Sequence, residues 1–337
     1  MPYAPVEDIP NLEKLKVDIR KLTPLMHEVI ATTRLALNHR YNYRRRFDYD
    51  DELQNFLKNQ LLIYSTTHNS LHILLKHVVS KEDYPPTVDA ASLVREQIEK
   101  VFQIALVLSN PKKWIKQYLR GNWRTDYETY LLALEEHGEN PRFKKFLEKD
   151  YVDHLKGGQR PPTRSSTRAS EIIVSEFSKR ALTHYWKNPA GKNPPWFKRR
   201  GSLRNYVNDY FEFPTPGKSV KFIEGKSRRR FLFRWHKEYS YFSQYTHNAL
   251  GKAVIPFVSE YKHIEAVEKV KIASQILMER TIFTSFTAAA SSCALIVTQL
   301  RDSYGAKSYL KEFWVQLYES SLISKAFWNI YPKKILK

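Results

Sequence analysis

Three short stretches combine reactive side chains at spacings that a helix brings to one face. Arg95 and Glu99 stand four residues apart in Leu93-Val94-Arg95-Glu96-Gln97-Ile98-Glu99. One helical turn separates them, so guanidinium and carboxylate can pair. Their apolar neighbours put the pair at the edge of a buried face, where charges must be compensated. Such a pair is either a brace between helices or a cation with its orienting carboxylate. Ser243 and His247 repeat the spacing in Tyr239-Ser240-Tyr241-Phe242-Ser243-Gln244-Tyr245-Thr246-His247. No acidic residue nearby would orient the imidazole, which argues against a serine-hydrolase triad. His247 could instead act as general base toward an RNA 2′-hydroxyl, with an arginine stabilising the phosphate charge. The alternative is a hydrogen-bonded core histidine. His68 and His72 are also four apart, a spacing able to chelate a metal. Asn69 stands where a His-Glu-x-x-His protease carries glutamate, and of other ligands only His77 is close in sequence. The expectation is therefore two partly buried polar residues, with no metal and no cofactor.

Charge supplies the second kind of chemistry. The chain has 337 residues with 55 Lys+Arg against 35 Asp+Glu, a net charge of +20. Between Lys187 and Lys237 lie 14 basic and 3 acidic residues, a local excess of +11. More than half the excess thus falls in about a seventh of the chain. The candidate phosphate contacts are Lys198, Arg199, Arg200 and Arg204, then Arg228, Arg229, Arg230 and Arg234. Trp196, Phe197, Tyr206, Phe231, Phe233 and Trp235 interleave them and are either stacking surfaces for bases or core anchors. The expected partner is a polyanion, either nucleic acid, with RNA ahead of DNA, or an anionic membrane surface. A smaller patch, Arg40 with Arg44 to Arg46, is offset at once by Asp48, Asp50, Asp51 and Glu52.

The elements that must position these groups read as helices almost throughout. Gly is 10 of 337, near 3% where about 7% is usual, which argues against turn-rich β folds and glycine-rich phosphate loops. Apolar residues recur at helical spacing from Leu12 to Leu37, with Pro24 as a break or first-turn residue. The same holds from Asp50 to Val79, from Ala90 to Leu108, from Pro111 to about His137, and briefly after Pro141. Helices resume over 169–187 and 228–250, then in the Pro-free and Gly-free run 257–304, and close over 307–324. Two proline-rich segments, Asn188–Ser202 and the surroundings of Pro214-Thr-Pro216-Gly217, read as irregular. The expected fold class is all-α: a large single helical bundle over 1–337, with an irregular basic insertion at 188–227 and a subdivision, if any, near 157–167.

One uncharged window, Thr281 to Leu300, is long enough to span a bilayer. Eight of its residues are Ser, Thr or Gln, and its middle is Ala288-Ala289-Ala290. Small residues all round suit close approach by neighbouring helices, so it reads as the central buried helix of the bundle and not as a membrane span. The polar, acidic start carries no secretory signal, and the lone Cys293 excludes an intrachain disulfide. Both point to the reducing cytoplasm.

Taken in order, Arg-x-x-x-Glu (Arg95, Glu99), a Trp-containing basic turn (Trp196 to Leu203) and Tyr-x-x-Phe-Ser-x-x-x-His (Tyr239, Phe242, Ser243, His247) resemble a family of bacterial proteins of unknown function. That family is all-helical and related to the HEPN (higher eukaryotes and prokaryotes nucleotide-binding) superfamily. The resemblance spans roughly residues 50 to 300. It implies a helical bundle, and many HEPN proteins are metal-independent RNases acting as dimers in toxin or defence systems through Arg-x4-6-His. Arg34 to His39 fits Arg-x4-His and Arg230 to His236 fits Arg-x5-His, neither with the polar residue after arginine common in active members. The functional expectation is a nucleic-acid-binding HEPN-like protein, acting as an RNase in bacterial defence or as a toxin. In it Arg95, Glu99, Ser243 and His247 form the catalytic set, with His247 as base, Arg95 or a residue of the 228–234 cluster on phosphate and Glu99 as orienter, and the resemblance allows a homodimer. The alternative is a non-enzymatic adaptor in which those four residues form a buried polar network and the basic region meets an acidic protein. A third reading is peripheral binding to an anionic membrane surface.

Overall fold

In the computed structural model, the described residues are 12–38, 51–81, 86–147, 179–188, 191–198, 200–246, 265–301 and 304–320. Among them are eleven helices and no strand: α1 (Leu12–Asn38), α2 (Asp51–Lys81), α3 (Pro86–Ser109), α4 (Pro111–His137), α5 (Pro141–Leu147), α6 (Lys179–Lys187), α7 (Leu203–Phe211), α8 (Pro216–Phe222), α9 (Lys226–Thr246), α10 (Ala266–Val297) and α11 (Ala306–Glu319). The chain divides into two compact units. One is Met1–Ser109 with Pro216–Lys337; the other is Asn110–Thr215. The 157–167 stretch lies outside the described residues, as do the basic patch at Arg40 to Arg46 and the Arg34-to-His39 motif's histidine.

The first unit is built around α10. This helix packs against α3, α1, α2 and α11. Its middle, from Thr284 to Ala294, is buried on every side. Small side chains there, Ala288 to Ala290 with Ser291 and Ser292, let neighbouring helices approach closely. Several hydroxyls are satisfied locally or across helices. Thr281 Oγ1 donates to the Leu277 carbonyl at 2.6 Å and Thr287 Oγ1 to that of Phe283 at 2.8 Å. Ser292 Oγ donates to Tyr64 Oη at 2.8 Å, and Tyr64 Oη donates to the Gln97 carbonyl at 2.6 Å, tying α10, α2 and α3 together. Lys271–Val297 is long and apolar enough to cross a membrane, yet most of it is buried in this unit, as a core helix is. Cys293 is fully buried, and burial pushes its thiol up to about 12, so it is chemically quiet.

Helix α1 runs unbroken through Pro24, where the sequence suggests a break. Pro24 faces solvent, and so does Arg20, whose carbonyl loses its intrahelical donor. Water can satisfy that carbonyl, so the helix survives. At the other end of α1, the Gln54 amide from α2 donates to the Leu37 carbonyl and covers an orphan acceptor of the last turn.

The second unit pairs α4 with α7 and with α5, and α6 with α7. Pro111 opens α4, and Asn110 Oδ1 accepts from the Lys113 amide at 3.2 Å. A Cβ on Gly121 would lie 3.2 Å from the Phe211 carbonyl, so glycine is what allows α4 and α7 to approach. Trp123 of α4 stacks on Tyr127 (5.0 Å, 8°) and on Phe211 of α7 (5.9 Å, 18°).

The expected irregular insertion over 188–227 is only partly irregular: α7 and α8 lie within it. Ser202 Oγ accepts from the Asn205 amide at 3.1 Å and starts α7 in spite of the prolines before it. Pro216 stands at the first position of α8, where its missing N–H costs nothing. Prolines mark helix starts here, not the absence of helix.

Candidate functional site

The Arg95 cluster assembles in the first unit, where α3 packs against α9. Arg95 Nη2 lies 3.1 Å from Glu99 Oε1, one turn along α3, and donates to Tyr239 Oη of α9 at 3.0 Å. Its guanidinium carbon is 5.3 Å from the centre of the Tyr239 ring. Both charged side chains keep about a quarter of their surface exposed, so this is a half-sheltered pair at the rim of the helix interface. Ser243, one turn beyond Tyr239, turns its hydroxyl back to donate to the Tyr239 carbonyl at 2.7 Å. The structure therefore brings Arg95 into direct contact with both Glu99 and Tyr239 and places Ser243 on the adjoining turn. His247 lies outside the described residues.

Two further features of this region escape a reading of the sequence alone. Glu238 takes Arg280 of α10 in a two-pronged ion pair, Nε to Oε2 at 3.0 Å and Nη2 to Oε1 at 3.0 Å. The Arg280 guanidinium also lies 3.6 Å from the centre of the Tyr241 ring. The pair joins residues 42 apart, with no local spacing to announce it. The only hint is a lone arginine at the edge of a long uncharged helical run. Second, His236, the histidine of the Arg230-to-His236 match, is half-buried with its ring 6.5 Å from that of Tyr239, a contact the sequence does not announce. A Cβ on Gly217 would lie 3.0 Å from His236 Nε2, so α8 runs close along α9 there.

The candidate phosphate contacts fall on both units. Arg228, Arg229 and Arg230 are exposed within the first five residues of α9, with Arg234 half-exposed one turn on. Helix α9 contains no carboxylate before Glu238, which Arg280 holds. In the second unit Lys198, Arg200 and Arg204 are exposed, while Arg199 lies outside the described residues.

The interleaved aromatics divide by role. Trp235 is buried in the core. Trp196 meets His184 edge-on at 6.0 Å, and Phe197 packs on Tyr206 at 5.8 Å, so these rings anchor the turn to α6 and α7. Asn193 closes the same turn: its amide donates to the Gly201 carbonyl at 3.0 Å and its Oδ1 accepts from the Leu203 amide at 2.8 Å. Gly201, at φ +97°, takes a backbone conformation that other residues rarely adopt. Phe233, on α9, is 55% exposed and faces away from the core.

The histidine pair of α2 is a core feature. His68 is buried against Phe286, with His27 of α1 edge-on at 5.5 Å. Its Nδ1 is 3.4 Å from Ser285 Oγ, and Nε2 has no hydrogen-bond partner among the described residues. Burial, with His27 and His72 nearby, pushes its pKa down to about 3, so it is neutral at physiological pH. His72 is half-buried and also lowered, by burial first and then by His27 and Lys76. Thr23 Oγ1 donates to the Ile19 carbonyl at 2.7 Å, so at 3.2 Å it accepts from His72 Nδ1–H. Among the described residues no group of three His, Cys, Asp or Glu is placed to hold a metal ion. No family model, no curated protein and no solved structure matches this chain.

Proposed function

We propose that the chain is a HEPN-like RNA-binding protein that grips its ligand through phosphate contacts along the exposed face of α9. The observation that carries the reading is three consecutive exposed arginines, Arg228 to Arg230, opening a helix without a carboxylate before Glu238. Positive side chains oppose the dipole at a helix N-terminus, and in the sequence around this end they outnumber the single carboxylate, Glu224, so an approaching anion is favoured. Phosphates would relieve that repulsion and release counterions from the RNA.

Metal-independent cleavage is a second reading, supported by an Arg95 guanidinium that keeps about a quarter of its surface exposed against the Tyr239 ring, with the His236 ring 6.5 Å from that of Tyr239. In it Arg95 would stabilise phosphate charge, Glu99 and Tyr239 would orient Arg95, and His247 or His236 would serve as base. Against it, Arg95 already engages both Glu99 and Tyr239, and the Ser243 hydroxyl bonds backbone. That favours a brace between helices, as in a non-catalytic RNA binder.

The experiment is an anisotropy titration of labelled RNA with the full chain, beside a cleavage assay in EDTA. Binding that Arg229→Glu with Arg230→Glu abolishes supports the principal reading. Equal binding by that variant contradicts it. Cleavage abolished in both Arg95→Ala and a histidine variant would add the catalytic role. No cleavage in any protein leaves a binder.

A further inference from the structure

Helix α9 carries an aromatic ring that the fold does not use. Leu232, Trp235 and Phe242 face inward and are buried to within 4% of complete. Phe233 points the other way and is 55% exposed. Its helical neighbours on the outer face are Arg229 and Arg230, one turn before, and Lys237, one turn after, all exposed. Lys237 Nζ lies 5.5 Å from the centre of the Phe233 ring. The next outward positions, Ser240 and Gln244, are polar and exposed. The outer face is thus a single flat apolar surface with cations on either side along the helix axis.

We propose that this face binds single-stranded nucleic acid, with one unpaired base stacked on Phe233 and the adjoining phosphates held by Arg229, Arg230 and Lys237. The inference rests on the RNA-binding reading above and narrows it to unpaired strands. Every base offers a π-face, so an exposed ring framed by cations is selective for accessible bases and tolerant of sequence. A duplex hides those faces in its stack and would leave Phe233 without a partner. The pattern does not suit a membrane surface, which calls for a continuous apolar stripe where α9 shows one ring between charged and polar positions.

The test uses the full chain, a labelled uridine-rich single strand, the same strand annealed to its complement, and vesicles of phosphatidylcholine with phosphatidylserine. Phe233→Leu and Phe233→Trp change an exposed side chain, and matching thermal melts would show that both variants fold. Wild type should bind the single strand more tightly than the duplex. Phe233→Leu should weaken the single strand about tenfold and leave the duplex unchanged, while Phe233→Trp keeps the affinity. If Phe233→Leu binds the single strand as wild type does, while Arg229→Ala with Arg230→Ala binds it less well, the stacking proposal fails and the RNA-binding reading stands. Tighter binding of the duplex overturns the proposal in the same way. If wild type binds neither strand, the underlying reading fails with it. Vesicle binding that Phe233→Leu abolishes, without an effect on RNA, would assign the ring to a lipid surface instead.

Discussion

Removing one oxygen tests the Arg95 cluster. Tyr239→Phe keeps the ring against the guanidinium but deletes the acceptor of the 3.0 Å bond from Arg95. The expected cost is about 1 kcal/mol, read as a lower urea midpoint with an unchanged slope. An unchanged midpoint would mean that the bond contributes nothing to the packing of α3 on α9. The Arg95–Glu99 half of the cluster was legible in the sequence because four-residue spacing on a helix is local geometry. Its Tyr239 partner was not, since 144 residues separate them and only folding sets α9 on α3. The Glu238–Arg280 pair was hidden for the same reason. His68 makes a second residue-scale prediction. Its folded pKa of about 3 lies below the ordinary 6.5, so below pH 6.5 the unfolded chain binds a proton that the folded chain refuses. Stability should therefore fall as pH drops from 6.5 toward 3, by up to about 1.4 kcal/mol per pH unit from this group. His68→Leu should flatten that decline in chemical denaturation at several pH values, leaving the smaller share from His72.

At the scale of elements, α7 depends on one side chain from α4. The Gln117 amide nitrogen lies 2.7 Å from the Tyr210 carbonyl, 3.2 Å from that of Asp209 and 3.1 Å from that of Glu212, at the helix C-terminus. Gln117→Leu removes the donor and leaves those acceptors to solvent or to nothing. It should cost about 1–3 kcal/mol in the second unit, with faster amide exchange at the end of α7. Unchanged exchange there would show that the interaction is incidental. Long helices such as α2 and α3 could be read because apolar spacing over many turns outweighs local noise, and α10, whose middle is buried on every side, from its long run without Pro or Gly. Helices of seven to nine residues offer two turns of pattern, and α7 and α8 lay among prolines that read as breakers. Their caps, Ser202 before Leu203 and Pro216 at a first turn, were the available signals.

For the whole molecule, helical class followed from scarce glycine and pervasive helical spacing. The division into Met1–Ser109 with Pro216–Lys337 and Asn110–Thr215 did not, because composition changes little across either junction. What marks both is an X-Pro step, Asn110-Pro111 and Thr215-Pro216, which reads locally as a helix start. The +11 excess at 187–237 likewise straddles a junction, so the charge that looked like one insertion sits on two separately packed units. Binding through phosphate contacts is proposed for α9 of the first unit. Its most direct test is the salt dependence of single-stranded RNA affinity for wild type and for Arg228→Ala, Arg229→Ala and Arg230→Ala combined. Deleting one phosphate-binding side chain should reduce the slope of log K against log salt by about 0.7, so the triple variant should bind more weakly and its slope should be shallower by about 2. A variant with the wild-type slope and affinity would place the RNA elsewhere, and a wild-type affinity that ignores salt would contradict phosphate binding altogether.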